Sequence, residues 1–203
     1  TLYTTLSNDF LYKDPTRNVI FLDNHDMSRI YSQLGENVAR QKMALQWLLT
    51  GRGIPQLYYG TEILMKGIAN PDGWVRLDFP GGWKGDTKNA FTGEGLSTDE
   101  ADVQELVRKL GRYRRGSSAL KTGRMMQYLP KKGLYIYFRY DAKETVMCVM
   151  NTASHEATVD FGQYAERTAG FARAANVLSG DVYTISQQAT IPAMRMWVLE
   201  LKK

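Results

Sequence analysis

The 203-residue sequence contains one cysteine, Cys148, inside the apolar run "TVMCVM". An intramolecular disulfide is therefore excluded, and the fold does not depend on oxidation. Nothing near Cys148 in sequence would lower a thiol pKa, so it reads as a buried packing residue and not a nucleophile. No apolar run approaches the ~20 residues that cross a bilayer as a helix, so a helical membrane span is not expected. No strong excess of one charge sign is present: the formal net charge is +5. The basic stretch "VRKLGRYRR" (107–115) could contact nucleic acid, but it also fits the cation-rich last turns of a helix. The latter reading is preferred. No leader pattern is visible, and Thr1 is not an initiator methionine, so the chain is expected to be a piece of a longer protein. Nothing in the sequence separates a periplasmic from a cytoplasmic location.

What is present is an ordinary globular balance, 43% hydrophobic and 23% charged. Its pattern changes halfway along. "NVIFL" (18–22) is a short continuous apolar run of the buried parallel type. "NVARQKMALQWLLT" (37–50) spaces its apolar residues as a helix does, and "GRGIP" (51–55) stops it. "IPQLYYG" (54–60) follows as a second strand, completing a strand–helix–strand unit. Residues 63–96 form a long segment rich in Gly, Trp and Asp. A loop of that length in a compact domain is usually functional or disordered, and Trp74, Phe79, Trp83 and Phe91 argue against disorder. A capping box, Ser97 to Glu100, then opens a helix. From about Leu120 short strands alternate with turn signals, the pattern of an antiparallel sandwich. The expected fold class is thus α/β followed by all-β, with a boundary near residues 116–121.

Chemistry in parallel α/β folds sits at the carboxyl ends of the strands. The first strand here runs into Asp23, Asn24, His25 and Asp26, and the second into Tyr58, Tyr59 and Glu62. Asp and Asn also cap helices and close turns. Four such groups at one strand end nevertheless point to a site.

"FLDNHD" (21–26) resembles the strand-seven motif of the α-amylase superfamily of glycoside hydrolases. "GIPQLYYGTE" (53–62) resembles that family's strand-eight stretch, in the same order and with one helix between. The all-β tail is similar to the sandwich that follows the family's barrel, so the likeness spans essentially the whole chain. It implies that residues 1–117 are the last strands and helices of a (β/α)8 barrel, carrying strands seven and eight, and that 118–203 are a C-terminal β-sandwich. It places Asp26 as the transition-state-stabilising carboxylate, with His25 donating to sugar hydroxyls and Asn24 orienting its neighbours. A carboxylate gripping a ring hydroxyl can tighten as positive charge develops on the sugar. Arg29 is expected to be a structural ion-pair partner.

In the loop, Asp72 and Arg76 match a pair that family members present to the neighbouring sugar. Trp74, Trp83 and Tyr59 are further candidates for the substrate-binding surface, by stacking for the tryptophans. The ending "RLDFPGGW" (76–83) looks most like the neopullulanase and cyclomaltodextrinase branch. "VRLD" (75–78) imitates the family's nucleophile motif, but it follows the Asn-His-Asp motif where the true one precedes it, so Asp78 is rejected as nucleophile. The nucleophile and acid/base, which the family takes from strands four and five, are absent, and the chain alone is expected to be inactive. No cofactor is expected in it; calcium, where the family has it, belongs mostly to the part not represented. The expected partner is an α-glucan or maltooligosaccharide, not nucleic acid, with pairing of two copies one way to cover exposed barrel strands. The alternative is a non-catalytic carbohydrate-binding protein with an amylase-like fold.

Overall fold

The computed structural model describes residues 2–203. After a short helix α1 (Leu2–Leu6), strand β1 (Val19–Phe21) leads through α2 (Ile30–Gln33) and α3 (Val38–Thr50) into β2 (Ile54–Gln56). The two strands pair in parallel, Val19 opposite Ile54 and Phe21 opposite Gln56. Asn37 starts α3 by accepting a hydrogen bond from the Arg40 amide at 3.0 Å. Gly53 is required where the chain turns into β2. Its φ is +105°, and an added Cβ would lie 2.6 Å from the Asn18 carbonyl oxygen.

The apolar run of β1 is not buried on both faces as its composition predicts. Val19 is 53% and Phe21 43% exposed, and Ile54 of β2 is 52% exposed. The two-stranded sheet covers only one side of each strand, leaving alternate side chains open.

Residues 64–97 contain no helix or strand. Helix α4 (Thr98–Gly116) follows, opened by the expected capping box: Ser97 accepts from the Glu100 amide, and Glu100 accepts from the Ser97 amide. The basic stretch lies in its second half, where Arg114 turns inward. After α5 (Ser118–Thr122), eight strands complete the chain, with one short helix α6 (Ala165–Thr168) between β6 and β7. They are β3 (Arg124–Gln127), β4 (Leu134–Tyr140), β5 (Thr145–Asn151), β6 (Ala157–Asp160), β7 (Arg173–Asn176), β8 (Val182–Thr184), β9 (Gln188–Ile191) and β10 (Arg195–Lys202). Six of them form one sheet in the order β3-β4-β5-β10-β7-β8, with every pairing antiparallel, and β6 pairs with β9 separately.

Period-two alternation assigns the faces of the large sheet. Tyr135, Tyr137, Val146, Cys148, Met196 and Val198 pack against Met43 and Leu49 of α3, Leu110 of α4 and Leu120 of α5. Ile136, Phe138, Met147, Val149, Trp197 and Leu199 pack against Val159 and Phe161, which flank the end of β6, and Ile191 of β9. Both faces are covered, so β5 is buried at every position and its residues 146–150 read as one unbroken apolar run. Cys148 sits in the middle of it, fully buried, and burial pushes its thiol up to about 11.

Two arginines fasten the helical half to the sheet. Arg114 donates to the Leu49 and Gly53 carbonyls at 3.0 and 2.9 Å. Arg139 of β4 donates to the Thr50, Gly51 and Gly123 carbonyls at 2.9, 2.6 and 3.1 Å. Their cations sit at the negative end of α3 and satisfy carbonyls that the helix leaves unpaired. The α3–β2 corner is thereby fixed relative to the sandwich.

Candidate functional site

The polar end of β1 divides into an inward and an outward half. Asp23 is 1% exposed. Its Oδ2 accepts from the Ile30 amide at 2.9 Å, and its carboxylate accepts from the Thr61 hydroxyl at 3.0 and 3.2 Å. It ties the start of α2 to the 3₁₀ turn Thr61–Ile63 that follows β2. Asn24 Oδ1 accepts from the Asp26 amide at 2.9 Å, closing an Asx turn that projects His25 and Asp26 outward. Both of those side chains are about two-thirds exposed, and His25 Nε2 lies 3.2 Å from Asp26 Oδ2.

Arg76, from the long loop, joins the predicted residues. Its Nη2 lies 3.1 Å from Asp26 Oδ1, its Nε donates to the His25 carbonyl at 2.9 Å, and its Nη1 donates to Asp72 Oδ2 at 3.3 Å. One guanidinium thus bridges two carboxylates, using the planar fork that suits such acceptors. Asp72 also accepts from the Gly73 amide at 2.9 Å.

The tyrosine pair after β2 holds Arg76 in place. Tyr58 donates its hydroxyl to the Val75 carbonyl at 3.2 Å, and Tyr59 donates to the Leu77 carbonyl at 2.8 Å. Arg76 lies between those two anchored peptides. Burial pushes the Tyr58 phenol up, helped by its neighbour Tyr59, so it stays a donor. Both tyrosines belong to the polar strand end that the sequence points to; Tyr59 alone is expected there on the substrate-binding surface, and the structure gives both the same anchoring role.

Arg29 does not make the ion pair expected of it: among the described residues no carboxylate lies within 4.0 Å. It is fully buried, with its guanidinium carbon 4.1 Å from the Tyr58 ring centre and 4.8 Å from that of Tyr59. It also donates to the Tyr59 carbonyl, and its amide donates to Gly67 O. Cation–π stacking takes the place of the carboxylate, and Arg29 braces both tyrosines from behind. Glu62 is mostly buried in the same region. Burial raises its pKa, with Arg29 opposing and Asp23 adding to the effect.

Trp74 is 57% exposed beside Asp72, and Asp78 is exposed on a segment that is neither helix nor strand. Among the described residues, no group of three or more His, Cys, Asp or Glu side chains could hold a metal ion. The cluster offers acceptor oxygens, an imidazole and a guanidinium, and Trp74, two positions from Asp72, adds an exposed indole; such groups suit sugar hydroxyls and C–H faces.

The chain resembles known proteins along most of its length. Residues 125–200 match the cyclo-malto-dextrinase C-terminal domain family. The chain is 30% identical over 143 residues to cyclomaltodextrin glucanotransferase from Geobacillus stearothermophilus, covering 70% of this chain and 18% of that protein. This chain belongs to the α-amylase superfamily of glycoside hydrolases. An alpha-amylase from Niallia circulans is 28% identical over 188 residues, 89% of this chain and 31% of the relative. Among solved structures, the alpha-amylase of Geobacillus thermoleovorans complexed with acarbose superposes with a TM-score of 0.79. That alignment covers all of this chain and 43% of the other, at 24% identity, and shows a shared fold. The chain therefore spans less than half the length of these relatives.

Proposed function

We propose that this chain forms one side of the active site of a retaining α-glucan hydrolase of neopullulanase, cyclomaltodextrinase or α-amylase type. In this reading residues 1–117 supply strands seven and eight of a (β/α)8 barrel, and residues 118–203 supply the C-terminal sandwich. The observation that carries it is the convergence on Arg76: Asp26, Asp72 and the His25 backbone, from two segments fifty positions apart, meet on one guanidinium at the carboxyl end of a parallel strand pair. Relatives by sequence are named cyclomaltodextrin glucanotransferase and alpha-amylase, and a protein of the same fold is solved with acarbose.

Asp26 stabilises the oxocarbenium-like transition state. An exposed carboxylate held from one side by Arg76 and His25 keeps a fixed direction while its oxygens accept from ring hydroxyls, and those bonds strengthen as the ring becomes cationic. His25 donates to hydroxyls of the same ring, Asn24 fixes the turn that aims both, and Asp72 and Arg76 hold the adjoining sugar. Trp74 stacks on a pyranose face, and Tyr59 anchors the Arg76 loop. Double displacement also needs a nucleophile and an acid/base roughly 5–5.5 Å apart. These come from residues outside the 203, so the chain alone turns over no glucan. In a polypeptide that includes them, Asp26→Asn is expected to lower kcat on maltodextrin by about 10²–10³. Turnover of maltodextrin by the purified 203-residue chain, or an Asp26→Asn enzyme of full activity, contradicts the proposal.

A further inference from the structure

The long loop carries a second aromatic surface that shares no residue with the Asp26–Arg76 cluster. Trp83 is 67% and Phe91 75% exposed, large rings with little apolar cover. Neither sits on a loose segment. Asp86 Oδ2 accepts from the Gly81 and Trp83 amides at 2.7 and 3.1 Å, and Asn89 Oδ1 accepts from the Phe91 and Thr92 amides at 3.0 and 3.2 Å. The two rims are joined by Ala90 N donating to Pro80 O, and the loop is tied to α4 by Gln104 donating to Ala90 O at 2.8 Å. Phe91 rests edgewise on Phe79, with ring centres 5.1 Å apart. Folding thus fixes two apolar rings in water, where they gain nothing by burial.

Beside Trp83 lies a depression of about 140 Å³ lined by Trp83, Asp86, Thr87, Lys88, Asn89 and Glu94. Its polar wall holds donors and acceptors of both charge signs. Lys88 is paired with Glu100 at 2.7 Å and Asp86 is turned onto two backbone amides, while Glu94 leaves an exposed carboxylate on the wall, so the wall disfavours an anion and offers acceptors to hydroxyls. An open indole next to a polar wall rich in acceptors matches a sugar, which has an apolar C–H face and hydroxyls around its rim. Two rings alone fall well short of the ~800 Å² per partner that a stable protein interface buries.

We propose that Trp83, flanked by Phe91, is a second α-glucan contact that holds a glucan chain outside the Asp26–Arg76 cluster. The choice of glucan over another neutral sugar rests on the functional reading above. The test is affinity electrophoresis of the chain in gels containing amylopectin, together with calorimetric titration with maltotriose. Trp83→Ala is expected to weaken amylopectin retention about tenfold, Trp83→Phe to weaken it less, and both to leave maltotriose affinity at the Asp26 cluster unchanged. Being exposed, Trp83 can be replaced without loss of fold, which circular dichroism checks. Retention by Trp83→Ala equal to wild type, or no retention by wild type, overturns the proposal. Equal loss of amylopectin and maltotriose binding also overturns it, because Trp83 would then belong to the first cluster. Asp26→Ala separates the two claims. If it leaves maltotriose affinity intact while Trp83→Ala loses retention, the reading of the Asp26 cluster fails and the second contact stands.

Discussion

Arg76 and Asp26 are fifty positions apart in the chain and 3.1 Å apart in the fold. The contact links the loop after β2 to the turn after β1, and it exists because Tyr58 and Tyr59 fix the peptides on both sides of Arg76. Replacing Arg76 by Ala should cost less than about 1 kcal/mol of stability, because the pair is exposed to solvent. Maltotriose affinity should fall several-fold, because Asp26 and Asp72 lose their shared partner. Denaturant titration and calorimetry measure the two effects. A large stability loss with unchanged affinity would mark Arg76 as a purely structural residue.

The two aspartates of "DNHD" should respond in opposite ways. Asp23 is buried and accepts from the Ile30 amide and the Thr61 hydroxyl, so Asp23→Ala strands both donors. A loss of about 2–4 kcal/mol is expected from unpaired buried groups at the base of the site. Asp26→Ala removes an exposed side chain and should change stability by no more than about 0.5 kcal/mol while weakening sugar binding. Thermal denaturation of the two variants checks the assignment, and similar losses in both would refute it.

Glu62 gives a pH dependence of defined sign. Burial raises its pKa above the usual 4.5, so the folded state keeps a proton that the unfolded chain has released. The stability this contributes is complete below pH 4.5 and is lost as pH rises through the folded-state value. Glu62→Gln keeps the shape without the titration. The variant should match wild type near pH 4 and be the more stable of the two at pH 7. Denaturant midpoints across that range test it, and a gap independent of pH would show that Glu62 does not titrate as described.

Most of the fold is legible because its signals are local. Asn37 and the Gly51–Pro55 stop bound α3, the Ser97–Glu100 box opens α4, and the apolar run around Cys148 is the central strand β5. Strands β3 and β9 carry no clear sequence signal, since four-residue strands whose side chains are mostly not fully buried show little periodicity. The site divides in the same way. Asp26, His25, Asp72 and Arg76 can be named as candidates from sequence because they match family motifs, and the fold brings them into contact. That Asp23 faces inward while Asp26 faces outward depends on the Ile30 amide and Thr61, which only the folded chain brings together. Arg29 shows the limit most clearly. A buried cation suggests a carboxylate partner, and the partners found are two aromatic rings.

The central claim is that the cluster around Asp26 is a sugar-binding surface. It is tested most directly by nitrogen–proton NMR of the 203-residue chain titrated with maltotriose. The account predicts saturable shifts confined to residues 24–26, 59 and 72–76, all lost in Asp26→Ala. Saturable shifts elsewhere that leave those positions unmoved would contradict it.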